Sequence, residues 1–167
     1  KVKYYVAAGQ FYNSEKELDK AIECFDKAIK YGTTDLKLYF YKAQVYNQYP
    51  KGDSVRLRNE AYKTFLETAV KNSSELKDYI VSALFELGEY EYKTSKNYQK
   101  ALGHFDDILK YDVRNQGALM YRAICFMSMG QKEEACKALD RVLKVYPNNK
   151  DAYDMKKANN CWLFEEK

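Results

Sequence analysis

The sequence predicts an all-α solenoid of about four helix-turn-helix units and a C-terminal capping helix, and three observations carry that reading. An alanine-x-x-x-aromatic signal returns at Ala21/Phe25, Ala61/Phe65 and Ala101/Phe105, then as Ala135/Leu139, in steps of 40, 40 and 34 residues. A period of that size marks a stack of supersecondary units, none of which can bury its apolar face alone. Around these alanines the apolar residues keep 3/4 spacing, the period of an α-helix. The 167 residues are 46% hydrophobic and 31% charged, which fits a folded chain able to bury a core.

The last full unit is the clearest. Leu119, Ala123 and Phe126 share one helical face, and Gly130 ends that helix. Glu133 and Glu134 open a second helix, where their charge complements the N-terminal dipole; Ala135, Leu139 and Val142 line its apolar stripe before Pro147 stops it. Ala123 and Ala135 are small enough for two antiparallel helices to cross closely.

This pattern resembles the tetratricopeptide repeat: a large residue, Leu-Gly, Tyr, Ala-x-x-x-Phe, then Pro. In the first unit Tyr5, Ala8-Gly9, Tyr12, Ala21, Phe25 and Ala28 occupy those places, with Thr33 for the proline. Tyr39, Ala43, Tyr46, Ala61 and Phe65 repeat it in the second. In the third, Leu87-Gly88 and Tyr92 precede Ala101, Phe105 and Ile108, but Gly88 stands one residue out of step, leaving two registers open. The resemblance covers residues 2–149 and divides one domain, 1–167, into units 2–35, 36–73, 74–115 and 116–149 with a cap at 150–166. It implies a right-handed superhelix whose first helices line a concave groove for a peptide or helix of another protein.

Spacing locates two irregularities. Six residues are added between Tyr46 and Ala61, around Pro50, Gly52 and Ser54, and six more between Phe65 and Tyr92. We read the first as a longer second helix, N-capped by Ser54 and running to Asn72, and the second as a first helix lengthened from about Ser74. The added turns either pack on each other or form a partner surface carrying Arg56 and Arg58. At the end of the stack Lys157 stands where other units have Gly9, Ala43 and Ala123, so a polar-faced cap is expected there. Trp162, the only tryptophan, with Leu163 and Phe164, either covers the end of the core or projects from it.

Nothing in the chain has the pattern of an active site. His104 is the only histidine, placed outward on a second helix, and Glu86, Glu89, Glu91, Asp106 and Asp107 read as solvated helix charges. Cys24, Cys125, Cys136 and Cys161 lack metal-ligand spacing and are expected as free thiols. No enzyme, cofactor or metal is therefore expected. A net charge of +4, with basic and acidic residues interleaved, disfavours nucleic acid as a partner despite 17 tyrosines; RNA stays a minor alternative. No apolar run is long enough for membrane insertion. A soluble chain, with the cytoplasm favoured, is expected, although a chain that begins at Lys1 leaves a removed leader open.

The function expected is a non-catalytic protein-interaction scaffold. Its groove positions recur at 3/4 spacing away from the packing anchors: Lys3, Val6, Gln10 and Asn13 in unit one, and Lys37, Phe40, Gln44 and Asn47 in unit two. Unit three offers Phe85 or Glu86 with Glu89 or Tyr90, according to register, and unit four Met120, Ile124 and Met127. That floor is amide-rich at the start and aromatic or Met-rich later, suiting a segment with apolar anchors. The chaperone-binding members of the family hold a C-terminal carboxylate with Lys, Asn and Arg; here Val6, Gln10, Tyr41, Gly117 and Tyr121 stand in those places, so no such clamp is expected. The alternative is an assembly subunit that associates through Trp162 or Tyr79. The sequence does not identify the partner.

Overall fold

The computed structural model describes residues 1–49, 52–69 and 74–164. Nine α-helices follow in order among them: α1 Val2–Ser14, α2 Leu18–Lys30, α3 Lys37–Asn47, α4 Ser54–Thr68, α5 Lys77–Lys93, α6 Tyr98–Tyr111, α7 Gln116–Ser128, α8 Lys132–Val145 and α9 Lys150–Ala158. Short 3₁₀ turns occupy Ser74–Leu76 and Cys161–Phe164, and no strand occurs among the described residues. Successive helices pair across short turns, the all-α solenoid arrangement that the repeat predicts. The chain divides into two compact units, Lys1–Ala83 and Leu84–Lys167, with the division inside α5.

In the first unit α1 packs on α2, α2 on α3 and α3 on α4. Ala21, Phe25 and Ala28 of α2 are buried in one cluster with Leu38 and Val45 of α3. Gly9 makes the α1/α2 crossing possible, because a Cβ there would lie 2.5 Å from the Phe25 ring. The insertion after Tyr46 is shared between turn and helix. α4 begins seven residues before Ala61 where α2 begins three before Ala21, so one extra turn is added at its N-terminus. Asp53, not Ser54, is the N-cap residue; Ser54 is the first residue inside and is buried. α4 then ends at Thr68 on an extended Ala69, short of the expected Asn72, which with Pro50 lies outside the described residues. The second insertion does lengthen α5 to 17 residues, introduced by the 3₁₀ turn at Ser74–Leu76.

The second unit stacks α6 on α7, α7 on α8 and α8 on α9. Asn97, Asn115 and Asn149 each cap a helix by accepting a backbone N–H, from Lys100, Ala118 and Ala152 at 3.1, 3.0 and 2.9 Å. Gly130, at φ +74°, supplies the left-handed residue that closes α7. Phe105 packs on Gly88, whose Cβ would lie 2.9 Å from its ring, just as Phe25 packs on Gly9. Gly88 is therefore in step. The extra residue lies in the α5–α6 turn, and Glu91, not Tyr92, takes the place of Tyr12: the carbonyls of Tyr12 and Glu91 accept the turn N–H of Glu17 and Asn97, each at 2.9 Å. Glu91 is only 5% exposed and is neutralised by Lys100 at 2.6 Å.

A repeated ion pair ties second helices to the first helices that follow them. Asp26 meets Lys42 at 2.5 Å, Asp106 meets Arg122 at 2.8 Å and Asp140 meets Lys156 at 2.5 Å, each pair 16 residues apart.

The cysteines correct the expectation of four free thiols. Cys136 of α8 and Cys161 form a disulfide that ties the final 3₁₀ turn to α8, leaving Cys24 and Cys125 free. α9 carries the polar outer face expected of a cap, but Cys161, not Trp162, seals the end of the core. Trp162 is 55% and Leu163 71% exposed, while Cys161 is buried. His104, expected outward, is half-buried.

Candidate functional site

First helices of successive units lie side by side within each compact unit, and their exposed faces form the candidate sites. In the first unit α1 and α3 contribute Gln10, Asn13, Lys37, Phe40, Gln44 and Asn47. Two of the polar members are held by neighbouring side chains. Gln48 donates to Asn13 Oδ1 at 3.0 Å and accepts from Lys16 at 2.8 Å, and Arg58 donates to Asn47 Oδ1 at 2.9 Å. Gln10, Gln44 and Asn47 are exposed and Asn13 is half-buried.

Phe40 has a different setting. It is 4% exposed, at the centre of an aromatic cluster with Tyr62, Phe65 and Tyr79 at centroid separations of 5.6, 5.7 and 5.1 Å. Tyr79 reaches this position because α5 is lengthened at its start; its hydroxyl meets that of Tyr41 at 3.3 Å, and Lys37 lies over its ring at 5.1 Å. The bond to Tyr79, with burial, pushes the Tyr41 phenol up to about 12. Sequence spacing places Phe40 on the floor but gives no signal that Tyr79 covers it. Arg56 is held by Asp53 and Glu60, and Arg58 by Asn47 and Asn59.

In the second unit the register set by Gly88 makes Phe85, Glu89 and Tyr92 the counterparts of Val6, Gln10 and Asn13. Glu86 and Tyr90, half-buried, lie one step round the helix from those positions. α7 runs parallel to α5, aligned by three contacts. Gly117 admits the Phe85 ring, which a Cβ would meet at 2.7 Å; Tyr121 donates to Glu89 at 2.5 Å; and the Tyr92 hydroxyl meets Ser128 Oγ at 3.2 Å. Tyr121 also stacks on Phe105 with centroids 4.6 Å apart.

Electrostatics fixes the one carboxylate on this face. Burial opposes the charge on Glu89, but the Lys93 ammonium at 2.6 Å and the Tyr121 hydroxyl outweigh it and hold the carboxyl below its usual range. Burial, with Glu89 beside it, pushes the Tyr121 phenol up. Alongside lie Met120, Ile124 and Met127, all half-buried, and Met127 Sδ accepts from Asn159, the C-cap residue of α9, at 3.0 Å. Phe85 and Glu89 are the members of the two open registers that the structure places here; Tyr92 and Tyr121 join them, and the 17-residue step from Gly88 to Phe105, against 16 from Gly9 to Phe25, is the sequence signal for the Tyr92 position.

No group of three His, Cys, Asp or Glu side chains among the described residues is placed to hold a metal ion. No described helix is long and apolar enough to cross a membrane.

Comparison with known proteins bears on the fold. Family models described as tetratricopeptide repeat match residues 2–31 and 94–159, together more than half of the chain. No curated protein matches the sequence. Among solved structures, MamA is similar at 17% identity over 91% of this chain and 76% of its own, with a TM-score of 0.69. YrrB, described as a TPR protein with an unusual peptide-binding site, is similar at 18% identity over 93% of this chain and 74% of its own, TM-score 0.64. PilW, described as a widely conserved type IV pilus biogenesis factor, is similar at 16% identity over 96% and 70%, TM-score 0.57. At these identities the likeness is one of fold.

Proposed function

The chain belongs to the tetratricopeptide repeat family, and on that premise we propose that it is a non-catalytic protein-interaction module that binds a peptide or helical segment of a partner protein on its first-helix faces. One observation carries the reading: Met120, Ile124 and Met127 of α7 form a half-buried apolar strip beside the Glu89–Tyr121 pair on α5 and α7. Thioether and branched side chains adapt to varied apolar anchors, and the fixed carboxylate offers an acceptor to a backbone N–H or a basic side chain of the segment. The amide-lined face of α1 and α3 supports the same reading by a different chemistry, since Gln10, Gln44 and Asn47 present donors and acceptors to a peptide backbone. No carboxylate clamp is proposed, because Val6, Gln10, Gly117 and Tyr121 supply no cation at those places.

The reading is tested by selecting a peptide-display library on the 167-residue protein. Enriched peptides should share apolar residues and lose about tenfold or more in affinity when Met120→Glu is combined with Ile124→Glu, with circular dichroism unchanged. Failure of any sequence to enrich, or enriched peptides indifferent to that double substitution, overturns it.

A further inference from the structure

A second surface of the Leu84–Lys167 unit shares no residue with the α5/α7 face. A cleft of about 700 Å³ is lined by Val113 and Arg114 of the α6–α7 turn and by Asp140, Arg141, Lys144 and Val145 of α8. The α8 residues fall at i, i+1, i+4 and i+5, one side of the helix.

The turn that forms the other wall is held in place. The Asp112 carboxylate accepts the Arg114 N–H at 3.1 Å, the Asn115 N–H donates to the Asp112 carbonyl at 3.0 Å, and the Tyr146 hydroxyl donates to the Arg114 carbonyl. Asn115 then caps α7. Arg114 is thus carried on backbone fixed from both sides, and Lys144 sits in the last turn of α8, where the helix dipole favours a cation.

The charge in the cleft is not balanced. Its one carboxylate, Asp140, is engaged by Lys156 of α9. Arg114, Arg141 and Lys144 are exposed and form no ion pair among the described residues, and between them Val113 offers an apolar surface that is 60% exposed. Three cations that line one cleft repel, and an anion seated among them relieves that repulsion. Two guanidinium groups match the planar geometry of carboxylates, while the valines have a use only for a ligand that also carries an apolar side chain.

We propose that this cleft is a binding site for an acidic peptide segment of a partner protein, one in which an aliphatic side chain is flanked by carboxylates. Arg114, Arg141 and Lys144 take the carboxylates, and Val113 with Val145 takes the aliphatic group. The site is independent of the α5/α7 face, so the chain would hold two different segments at once.

The test uses fluorescence anisotropy of the 167-residue protein with a fluorescein-labelled peptide in which one leucine is flanked on both sides by glutamates. Saturable binding is expected, weakening about fivefold or more between about 50 and about 300 mM salt. Arg141→Glu with Lys144→Glu should lose about tenfold or more, and Arg141→Gln with Lys144→Gln should lose binding without reversed charge, both with unchanged circular dichroism. Ile124→Glu, which breaks the α5/α7 strip, should leave this binding intact and so separates failure here from failure of the first reading. Absence of saturation, equal binding by the charge variants, equal binding of an all-glutamate peptide, or tighter binding of a single-stranded oligonucleotide each overturns the assignment.

Discussion

The Lys1–Ala83 and Leu84–Lys167 units are built from the same helix pair, with Phe25 seated on Gly9 in one and Phe105 on Gly88 in the other, yet they are finished by different means. In the first, none of the helices α1 to α4 has a side-chain N-cap bond, and the exposed face presents amides, of which Asn13 is bonded to Gln48 and Asn47 to Arg58. In the second, three helices are capped by asparagine, a disulfide closes the end, and the face is an aromatic stack beside the half-buried Glu89–Tyr121 pair. An exposed amide bond contributes little net free energy and can be exchanged for a bond to a peptide, whereas a packed ring stack holds one arrangement. The same scaffold thus yields an adaptable face and a preorganised one. Native-state hydrogen exchange should accordingly be slower in α6 and α7 than in α1 and α2, and the reverse order would refute the contrast.

The strongest way to erase that contrast is Phe105→Ala. The ring is fully buried, fills the space over Gly88 and supports both Phe85 and Tyr121, so its loss should cost about 3–5 kcal/mol in urea unfolding and remove the α5/α7 face with it. A cost below about 1 kcal/mol would mean the stack is not what fixes the face.

Opening the disulfide comes next. Cys136 and Cys161 are 25 residues apart, a loop whose closure in the unfolded chain is worth roughly 3 kcal/mol. Reduction, or Cys136→Ser with Cys161→Ser, should lower stability by about that amount and speed exchange in α8 and α9. Mass spectrometry after alkylation in denaturant without reductant reads its state directly: two blocked thiols with the bridge, four without.

A smaller effect is expected at the caps. Asn115→Ala removes the acceptor for Ala118 N–H and should cost about 1 kcal/mol. Glu17→Ala, at the N-cap position of α2, removes no cap bond and should cost well under half of that. Equal costs would show that the capping difference between the units is without consequence.

How far these features could be read beforehand follows from the range over which each is encoded. Helix pairs, the lengthened α5 and the end of the stack at Lys157 are written in local spacing, and local spacing suffices for them. The third-unit register was open because Tyr92, an aromatic at the Tyr12 spacing, competes with Gly88. Steric fit decides it, since only glycine admits the Phe105 ring at that distance. Phe40 is a groove position by periodicity, but Tyr79, 39 residues later and displaced by an insertion, covers it. The disulfide was illegible for a similar reason: α9 intervenes, and the approach of Cys161 to α8 depends on how that helix packs. For the α4 insertion, counting residues could not apportion them between turn and helix.

The finest distinction between the two faces is the chemistry of their phenols. Tyr41 is bonded to another phenol, Tyr79, and is pushed up to about 12, chiefly by that bond and then by burial. A phenol raised above its unfolded value keeps its proton longer in the folded chain. The stability it contributes is therefore fully present below about pH 10, where unfolded tyrosine begins to ionise, and is lost as pH rises towards about 12. Ultraviolet titration of the wild type against Tyr79→Phe isolates the effect: removing the Tyr79 hydroxyl should bring the Tyr41 transition back towards 10 while leaving the Tyr121 phenol, raised by burial and Glu89, where it was. A Tyr41 transition unmoved by Tyr79→Phe would show that burial alone sets it, and that the hydroxyl pair is not what fastens the lengthened α5 to α3.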